Sequence, residues 1–222
     1  ERIWDAAVTE TGDANCGLHS GEGVQASDLG LIGFAMVSSE TLQSALEKVA
    51  RYWNLLSNAS AVTLIDNGET AVLELHVMEL PGNFLLRNRH PVDSSFSSAL
   101  SLVRSMVGRP LPLLEASYLC PAPSDTREHN RIFGSKLRFG GRGNFLAFPS
   151  EALRWPLLHA NPIVGSAIDE QLQQRLSEAA RTMRDRVRNE ISRRMRGEVP
   201  DLQTVALSLG ISQRALQRDL QA

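Results

Sequence analysis

The spacing of apolar residues predicts several helices in the first half of the chain. Residues 1–36 have a helical period that breaks at the TGDANCG stretch and again at residues 21–23. The segment SSETLQSALEKVARYWNLLS predicts the clearest helix, starting at Ser39, and PVDSSFSSALSLVRSMVG predicts another, because apolar residues recur at helical spacing in both. Their apolar stripes contain Leu42, Ala45, Leu46, Val49, Tyr52 and Trp53 in the first helix, and Phe96, Leu100, Val103 and Val107 in the second.

Three other parts of the chain have the alternating pattern of strands. AVTLIDNGETAVLELHVM contains two such runs around Asp66-Asn67-Gly68, and these residues favour a hairpin turn. LLEASYLC predicts a further strand, and KLRFGGRGNFLAFP predicts a second hairpin about Gly140 to Asn144. The order of helices and hairpins predicts an α+β fold, in which an antiparallel sheet packs against helices, rather than a parallel doubly wound fold.

A long polar helix is predicted after Asn161-Pro162. Its apolar stripe continues for about seven turns at ~3.6 residues per turn. The stripe contains Ile168, Leu172, Leu176, Ala179, Met183, Val187, Ile191 and Met195. Two interpretations fit: the helix packs along the body, or it is a connector whose second half, residues 181–196, already belongs to the next unit. The arginines of that half fit either phosphate contacts or a solvated face.

The final stretch, DLQTVALSLGISQRALQRDLQA, predicts two short helices joined by a sharp bend. Leu202, Val205, Ala206 and Leu209 form one apolar stripe, Gly210 permits the bend, and Ser212 is placed to cap the second helix. In that helix the inward residues are Ala215, Leu216 and Leu220, and the outward ones are Gln213, Arg214, Gln217 and Arg218. Arg and Gln can pair with guanine and adenine edges, so we interpret the hairpin as a DNA-binding helix–turn–helix. An ordinary amphipathic helical hairpin is the alternative.

Charge is distributed in a way that supports this interpretation. The chain has 222 residues, 42% of them hydrophobic, and a net charge of −2. From residue 175 onward it carries ten arginines and six acidic residues, whereas the preceding part carries 13 basic and 19 acidic residues. A basic tail on an acidic body is typical of a tail that contacts a polyanion such as DNA.

The sequence contains no pattern typical of an enzyme or a metal site. Cys16 and Cys120 are far apart and favour two buried free thiols. The five histidines, His19, His76, His90, His129 and His159, are scattered without ligand spacing, and GGRGN fits a turn better than a phosphate loop. Arg87, Arg89 and His90 form a basic cluster that fits a solvated loop better than an anion site. We therefore predict no catalytic residue, metal or cofactor.

No apolar stretch reaches the ~20 residues that a membrane-spanning helix needs. We accordingly expect no membrane association and a cytoplasmic location.

Two parts of the chain together resemble the AraC/XylS family of transcription regulators. RVRNEISRRMRGEVPDLQTVALSLGISQRALQRDL has the family's helix, proline, capped helix with a Val–Ala pair, Leu–Gly turn and Ser-x-x-x-Leu-Gln-Arg. DLGLIGFAMVSSETLQSALEKVARYWNLLS and FGSKLRFGGRGNFLAFPSEALRWPLLHANP resemble the arabinose-binding-type domain found in ornithine-utilisation and virulence regulators.

The resemblance implies an α+β regulatory domain at 1–162, a connector helix at 163–180 and the first half of a DNA-binding domain at 181–222. The family has two helix–turn–helix units that enter successive major grooves. We therefore expect this chain to be a fragment that lacks the second unit and, as it opens without Met, the extreme amino terminus. The expected base contacts are Arg214, Gln217 and Arg218, and the expected DNA-backbone contacts are Ser212 and Gln213. Asp219 departs from the apolar or basic residue usual in the family, which leaves the orientation of this helix open.

The implied partners are promoter DNA, a small-molecule effector, RNA polymerase and a second copy of the chain. The effector pocket is not identified, since Phe34, Trp53 and Phe96 fit core positions as well as pocket positions. Two alternatives differ in class. One is an enzymatic or ligand-binding domain with an incidental helical tail, and the other is a protein-interaction or dimerisation domain without an effector.

Overall fold

A computed structural model describes residues 2–57, 60–77, 89–134, 136–179, 183–194, 200–213, 216, 217 and 220. The helices in these ranges are α1 (Arg2–Thr11), α2 (Cys16–Glu22), α3 (Gly30–Val37), α4 (Leu42–Tyr52), α5 (His90–Val107), α6 (Arg127–Phe133), α7 (Pro162–Ala179), α8 (Met183–Arg194) and α9 (Leu202–Ser208). Short 3₁₀ turns lie at Ala26–Leu29, Trp53–Leu55 and Ser150–Arg154. None of the described helices is long and apolar enough to cross a membrane.

The described strands form one sheet in the order β1-β2-β5-β3-β4. They are β1 (Ser60–Asp66), β2 (Thr70–Val77), β3 (Glu115–Ser117), β4 (Leu137–Arg138) and β5 (Asn144–Pro149). With helices packed on this sheet, the predicted α+β class is confirmed. The predicted fully antiparallel sheet is wrong in one place, because β3 and β4 pair in parallel while the other neighbours are antiparallel.

The first hairpin forms where it was predicted. Asn67 Oδ1 accepts hydrogen bonds from the backbone N–H of Glu69 at 3.1 Å and of Thr70 at 2.7 Å. Asp66 Oδ1 accepts from the N–H of Gly68, whose φ of +91° favours glycine at this position. The turn side chains therefore take up backbone donors that the short connection leaves without strand partners.

The second predicted hairpin is wrong. Strand β3 lies between β4 and β5, with Ala116 opposite Leu137 on one side and Leu146 on the other. After β4 the chain is held to the segment that follows β3, because the N–H of Gly140 donates to the Cys120 carbonyl at 2.9 Å. Pairing of both strands with β3, which comes earlier in the chain, thus replaces the local pairing of β4 with β5 that the glycines suggested.

Helix α4 is shorter than predicted but buries the predicted stripe. Thr41, rather than Ser39, caps it by accepting from the Ser44 N–H at 3.3 Å. The helix ends at Tyr52, and Trp53 lies in the 3₁₀ turn that follows, partly buried. The buried members are Leu42, Ala45, Leu46, Val49 and Tyr52.

A buried hydrogen-bonded pair lies inside the body. Asp93 and His129 are both fully buried, and Asp93 Oδ1 is 3.0 Å from His129 Nε2. Arg89 Nε lies 3.2 Å from the other Asp93 oxygen, while the Arg89 guanidinium also donates to the Ala14 carbonyl at 2.7 Å. Since burying an unpaired charge is costly, each of these groups depends on the others.

The predicted solvated basic loop is therefore wrong at Arg89 and His90. Arg89 joins the buried pair, and His90 is buried at the start of α5 with its ring stacked on Trp4. Arg87, the third residue of that cluster, lies outside the described residues.

Helix α7 packs on the body rather than standing apart from it. Leu172 is buried in the body's hydrophobic core, with Ile168 and Leu176 partly buried beside it. The buried Tyr52 hydroxyl donates to Asp169 Oδ1 at 2.7 Å. The first interpretation of this helix, packing along the body, therefore holds for its α7 part, and the predicted domain limits remain a prediction.

We expect Gly33→Ala to destabilise the fold, because a Cβ there would lie 1.6 Å from the Ala26 carbonyl oxygen. Forcing atoms into packed space typically costs ~1–3 kcal/mol, and occasionally more. Gly23→Ala is the matched control, since its Cβ would meet no atom closer than 3.9 Å. Urea unfolding of both variants measures the difference. Equal stability of the two would contradict the close approach of α3 to the preceding 3₁₀ turn.

Candidate nucleic-acid interface and internal cavities

The carboxyl-terminal helices have a small apolar core of their own. Val187, Val205, Ala206 and Leu216 are buried in it, and the partly buried residues packed around them are Ile191, Leu209, Ile211 and Leu220. Of the stripe predicted for residues 168–195, Ile168, Leu172 and Leu176 belong to the core of the body, and Val187 and Ile191 belong to this one. Met195 lies outside the described residues. Leu202 departs from the predicted stripe of the next helix, because it is 37% exposed.

The bend after α9 has the hydrogen bonds of a Schellman motif. The N–H of Gly210 donates to the Leu207 carbonyl at 3.1 Å, and the N–H of Ile211 donates to the Ala206 carbonyl at 3.0 Å. Gly210 has a φ of +70°, the left-handed conformation predicted for it. At the other end of α9, Asp201 Oδ1 accepts from the Thr204 N–H at 2.7 Å and caps the helix.

Helical backbone resumes after Ser212, whose carbonyl accepts from the Leu216 N–H at 2.9 Å. Of the predicted DNA contacts, Ser212, Gln213 and Gln217 are exposed. Gln213 and Gln217 are four residues apart and so lie on one side of a helix, whereas Leu216 is fully buried. The predicted contacts Arg214 and Arg218 lie outside the described residues, as do Ala215 and Asp219.

Sequence reasoning missed the role of Glu190, a buried carboxylate on α8. Arg193 Nη2 donates to it at 2.8 Å, and Arg194 Nε also donates to it. Burial alone would raise the pKa of Glu190, but the hydrogen bonds from Arg193 and Arg194 and the contact with Ser208 of α9 outweigh burial and lower this pKa to about 2. The i, i+3 and i, i+4 spacing of one acid and two arginines was the signal in the sequence.

A cleft of about 410 Å³ separates α8 from the body. Arg51 and Trp53 line its body side, and Arg186 and Arg193 line its α8 side. The Asn54 side chain crosses it and donates to the side-chain oxygen of Asn189. The contact between body and carboxyl-terminal helices is therefore polar at this point.

A second cavity, of about 350 Å³, lies within the body. Side chains from α4, the β1–β2 hairpin and α5 line it, among them Leu46, Val49, Val62, Leu75, Phe96 and Leu102. Of the three aromatic residues left open between core and pocket, Trp53 and Phe96 line this cavity, whereas Phe34 is 49% exposed on α3. A mostly apolar cavity of this size falls within the ~300–1,000 Å³ of small-molecule sites.

Neither thiol has the surroundings of a reactive cysteine. Both are free, as predicted, although Cys16 is only partly buried. Burial raises the pKa of Cys120 to about 11 and, with the nearby Asp13 carboxylate, also raises the pKa of Cys16, so both stay protonated near neutral pH. Over the described ranges, no three His, Cys, Asp or Glu side chains are grouped to hold a metal ion.

The described residues form an α+β body followed by a helical segment with its own core. Residues 1–157 match the family described as the N-terminal arabinose-binding domain of AraC transcription regulators. The match covers more than half of the chain, and the chain therefore belongs to this family of AraC-type regulators.

Two proteins of Pseudomonas aeruginosa are similar to most of the chain. The ornithine utilization regulator is 27% identical over 212 residues, which make up 94% of this chain and 61% of that protein. The fold resembles the crystal structure of the transcriptional regulator CdpR with a TM-score of 0.59 and 21% identity, covering 92% of this chain and 66% of that one. The chain thus spans less than two thirds of the length of the curated relative. Both relatives are named as regulators and not as enzymes.

We expect Glu190→Gln to weaken the carboxyl-terminal core by about 1 kcal/mol, because charge-assisted hydrogen bonds become neutral and the exposed Arg193 is partly screened. The folded-state pKa of about 2 lies below the usual 4.5, so the native state binds fewer protons than the unfolded state. The contribution of Glu190 is therefore complete above pH 4.5 and is lost as the pH falls toward 2.

Hydrogen exchange at the amides of Val205 and Ala206, measured over that pH range, checks this prediction. The variant should lose the part of the acid dependence that belongs to Glu190. Glu170→Gln, at an exposed position on α7, is the control and should behave as the unaltered chain. Identical exchange in both variants would mean that Glu190 does not hold α8 to α9.

Proposed function

We propose that this chain is the regulatory body and a DNA-reading helix–turn–helix of a ligand-responsive transcription regulator. The observation that carries the proposal is the packing of Val205 and Ala206 against Val187 and Leu216, with the Schellman bend between the two helices. This packing buries one side of the second helix and leaves Gln213 and Gln217 exposed. Family membership supports regulation of transcription as the activity.

The second helix would enter the major groove. Arg214, Gln217 and Arg218 would contact base edges there, and Ser212 and Gln213 would contact the DNA backbone. The exposed arginines of α8 supply positive charge next to this helix, which favours approach to phosphates. By family resemblance the protein would act in the cytoplasm on promoter DNA together with RNA polymerase.

The body would bind a small-molecule effector. An effector alters DNA binding only if it prefers one of two arrangements of the body and the carboxyl-terminal helices. The polar Asn54–Asn189 hydrogen bond is one of the contacts between the body and α8, so it is a position at which their arrangement would change.

A second candidate function is dimerisation that needs no effector. Apolar side chains are exposed on two helices that pack against each other, namely Phe34 on α3 and Ile163 and Val164 on α7. Ile163 is 84% exposed, and such residues on neighbouring helices are a feature of surfaces that bind a second protein. Concentration-dependent mass without any effect of ligands would favour this function.

We expect Arg218→Ala in the intact protein to relax sequence preference at one or two base pairs, since a paired arginine–guanine contact is worth ~1–3 kcal/mol of discrimination. Binding to a mapped promoter and to its single-base variants, measured by fluorescence anisotropy, gives this preference. Gln213→Ala should instead weaken binding to all sequences alike.

Arg175→Ala, at an exposed position on α7, removes the same charge away from the proposed interface and serves as the control. Its binding should match that of the unaltered protein at moderate salt. If Arg218→Ala and Arg175→Ala both keep the original sequence preference, the assignment of Arg218 to base reading is wrong.

A further inference from the structure

The cavity inside the body has a wall that is apolar almost throughout. Met36, Leu46 and Val49 lie on one side, and Phe96, Leu102 and Val103 of α5 lie on another. A sugar or a free amino acid would leave many of its polar groups without hydrogen bonds against such a wall, which is costly. An occupant must therefore present mainly apolar surface.

The polar groups of the wall are few, and each of them can accept a hydrogen bond. They are the hydroxyls of Ser94, Ser95 and Ser98 on α5 and the carboxylates of Asp28 and Glu74. Glu74 is already close to a neighbour, with its Oε2 3.6 Å from His76 Nε2. Asp28 is exposed, and its Oδ2 accepts from the Gln25 N–H. Of the described residues that line the cavity, none is lysine or arginine.

From this wall we infer that the cavity binds an amphiphile with an apolar body and a hydrogen-bond-donating head, either an ammonium or a hydroxyl group. The inference rests on the proposed function, in which such a molecule is the effector. Asp28 attracts a cationic head, and the serine hydroxyls pair with either head. Asp28 is exposed, so the head would lie at the mouth of the cavity. Among the described lining residues, a carboxylate head there would meet two acids and no cation, and like charges repel.

Trp53 connects this cavity to the cleft that faces α8. Its side chain lines both spaces, and its indole N–H donates to Ser60 Oγ at 2.9 Å. The residue after it, Asn54, makes the hydrogen bond to Asn189 of α8. An occupant of the cavity thus contacts the residue that adjoins the contact between body and carboxyl-terminal helices.

Three probes of equal chain length test the head group on the whole chain: n-octylamine, n-octanol and octanoate, all below their aggregation concentrations. Calorimetry and tryptophan fluorescence report binding. We expect saturable binding of the amine and the alcohol, with octanoate weaker by about tenfold, since its charge is repelled by the carboxylates of Asp28 and Glu74. Octanoate that binds as well as octylamine, or no binding of any probe, would overturn the inference.

Two substitutions separate the cavity from the rest of the surface. Asp28→Asn keeps an oxygen for the Gln25 N–H and removes the charge, so octylamine should lose about threefold to fivefold in affinity while octanol is unchanged. Ser98→Leu fills space in the cavity and should weaken both probes. Ser105→Leu, on the same helix at an exposed position outside the cavity wall, is the matched control. Equal effects of the two serine substitutions would place the probes elsewhere and overturn the inference.

Measuring promoter binding by the intact protein alongside probe binding distinguishes a failure of this inference from a failure of the proposed function. If no probe binds while Arg218→Ala still relaxes promoter preference, the inference about the cavity fails and the regulator assignment stands. If the probes bind as expected while promoter preference is insensitive to Arg218, the DNA-reading assignment fails and the cavity remains a ligand site.

Discussion

The hydrogen bond from the buried Tyr52 to Asp169 fixes the helix that leads from the body to the carboxyl-terminal helices. Burial, together with the hydrogen bond to Asp169, raises the pKa of Tyr52 to about 12, so the phenol remains a donor at any physiological pH. A buried hydroxyl without a partner is unfavourable, and α7 therefore has to lie where Asp169 reaches it. Leu172, one turn further along, is buried in the body by the same placement. Helix α7 is thereby held on the body by one buried hydrogen bond and one buried apolar side chain.

Periodicity predicted the elements that are long and one-sided. Helices α4 and α5 and the β1–β2 hairpin formed where their stripes and turn residues indicated, because burial of one face and turn chemistry favour the same structure there. The second hairpin failed because β3 and β4 have only three and two residues. Runs of that length have no readable period, and the partner of each strand is then decided by tertiary packing.

The buried Asp93–His129 pair and the cavity could not be predicted for a different reason. Asp93 and His129 are 36 residues apart, and each alone resembles an ordinary polar residue in its helix. The cavity is a space that α4, the first hairpin and α5 leave unfilled between them. No single segment of the sequence therefore specifies it. Sequence reasoning identified Trp53 and Phe96 as apolar residues of ambiguous role, yet only their arrangement in space distinguishes a filled core from an open one. The exposed glutamines of the final helix were predictable because exposure there follows from local spacing.

The contrast between two of the contacts that link the carboxyl-terminal helices to the body suggests how the proposed regulation would work. The contact through α7 is buried and includes Leu172 and the hydroxyl of Tyr52, so breaking it would expose apolar surface and a polar group that needs a partner. The contact through Asn54 and Asn189 is between two uncharged amides beside an open cleft. Water can replace such a hydrogen bond at little cost in free energy, so its loss alone adds little to the energy difference between two arrangements. An effector that binds one arrangement of body and α8 more tightly than the other would then shift the population toward it. A molecule in the cavity would act on this arrangement through Trp53, which lines both the cavity and the cleft.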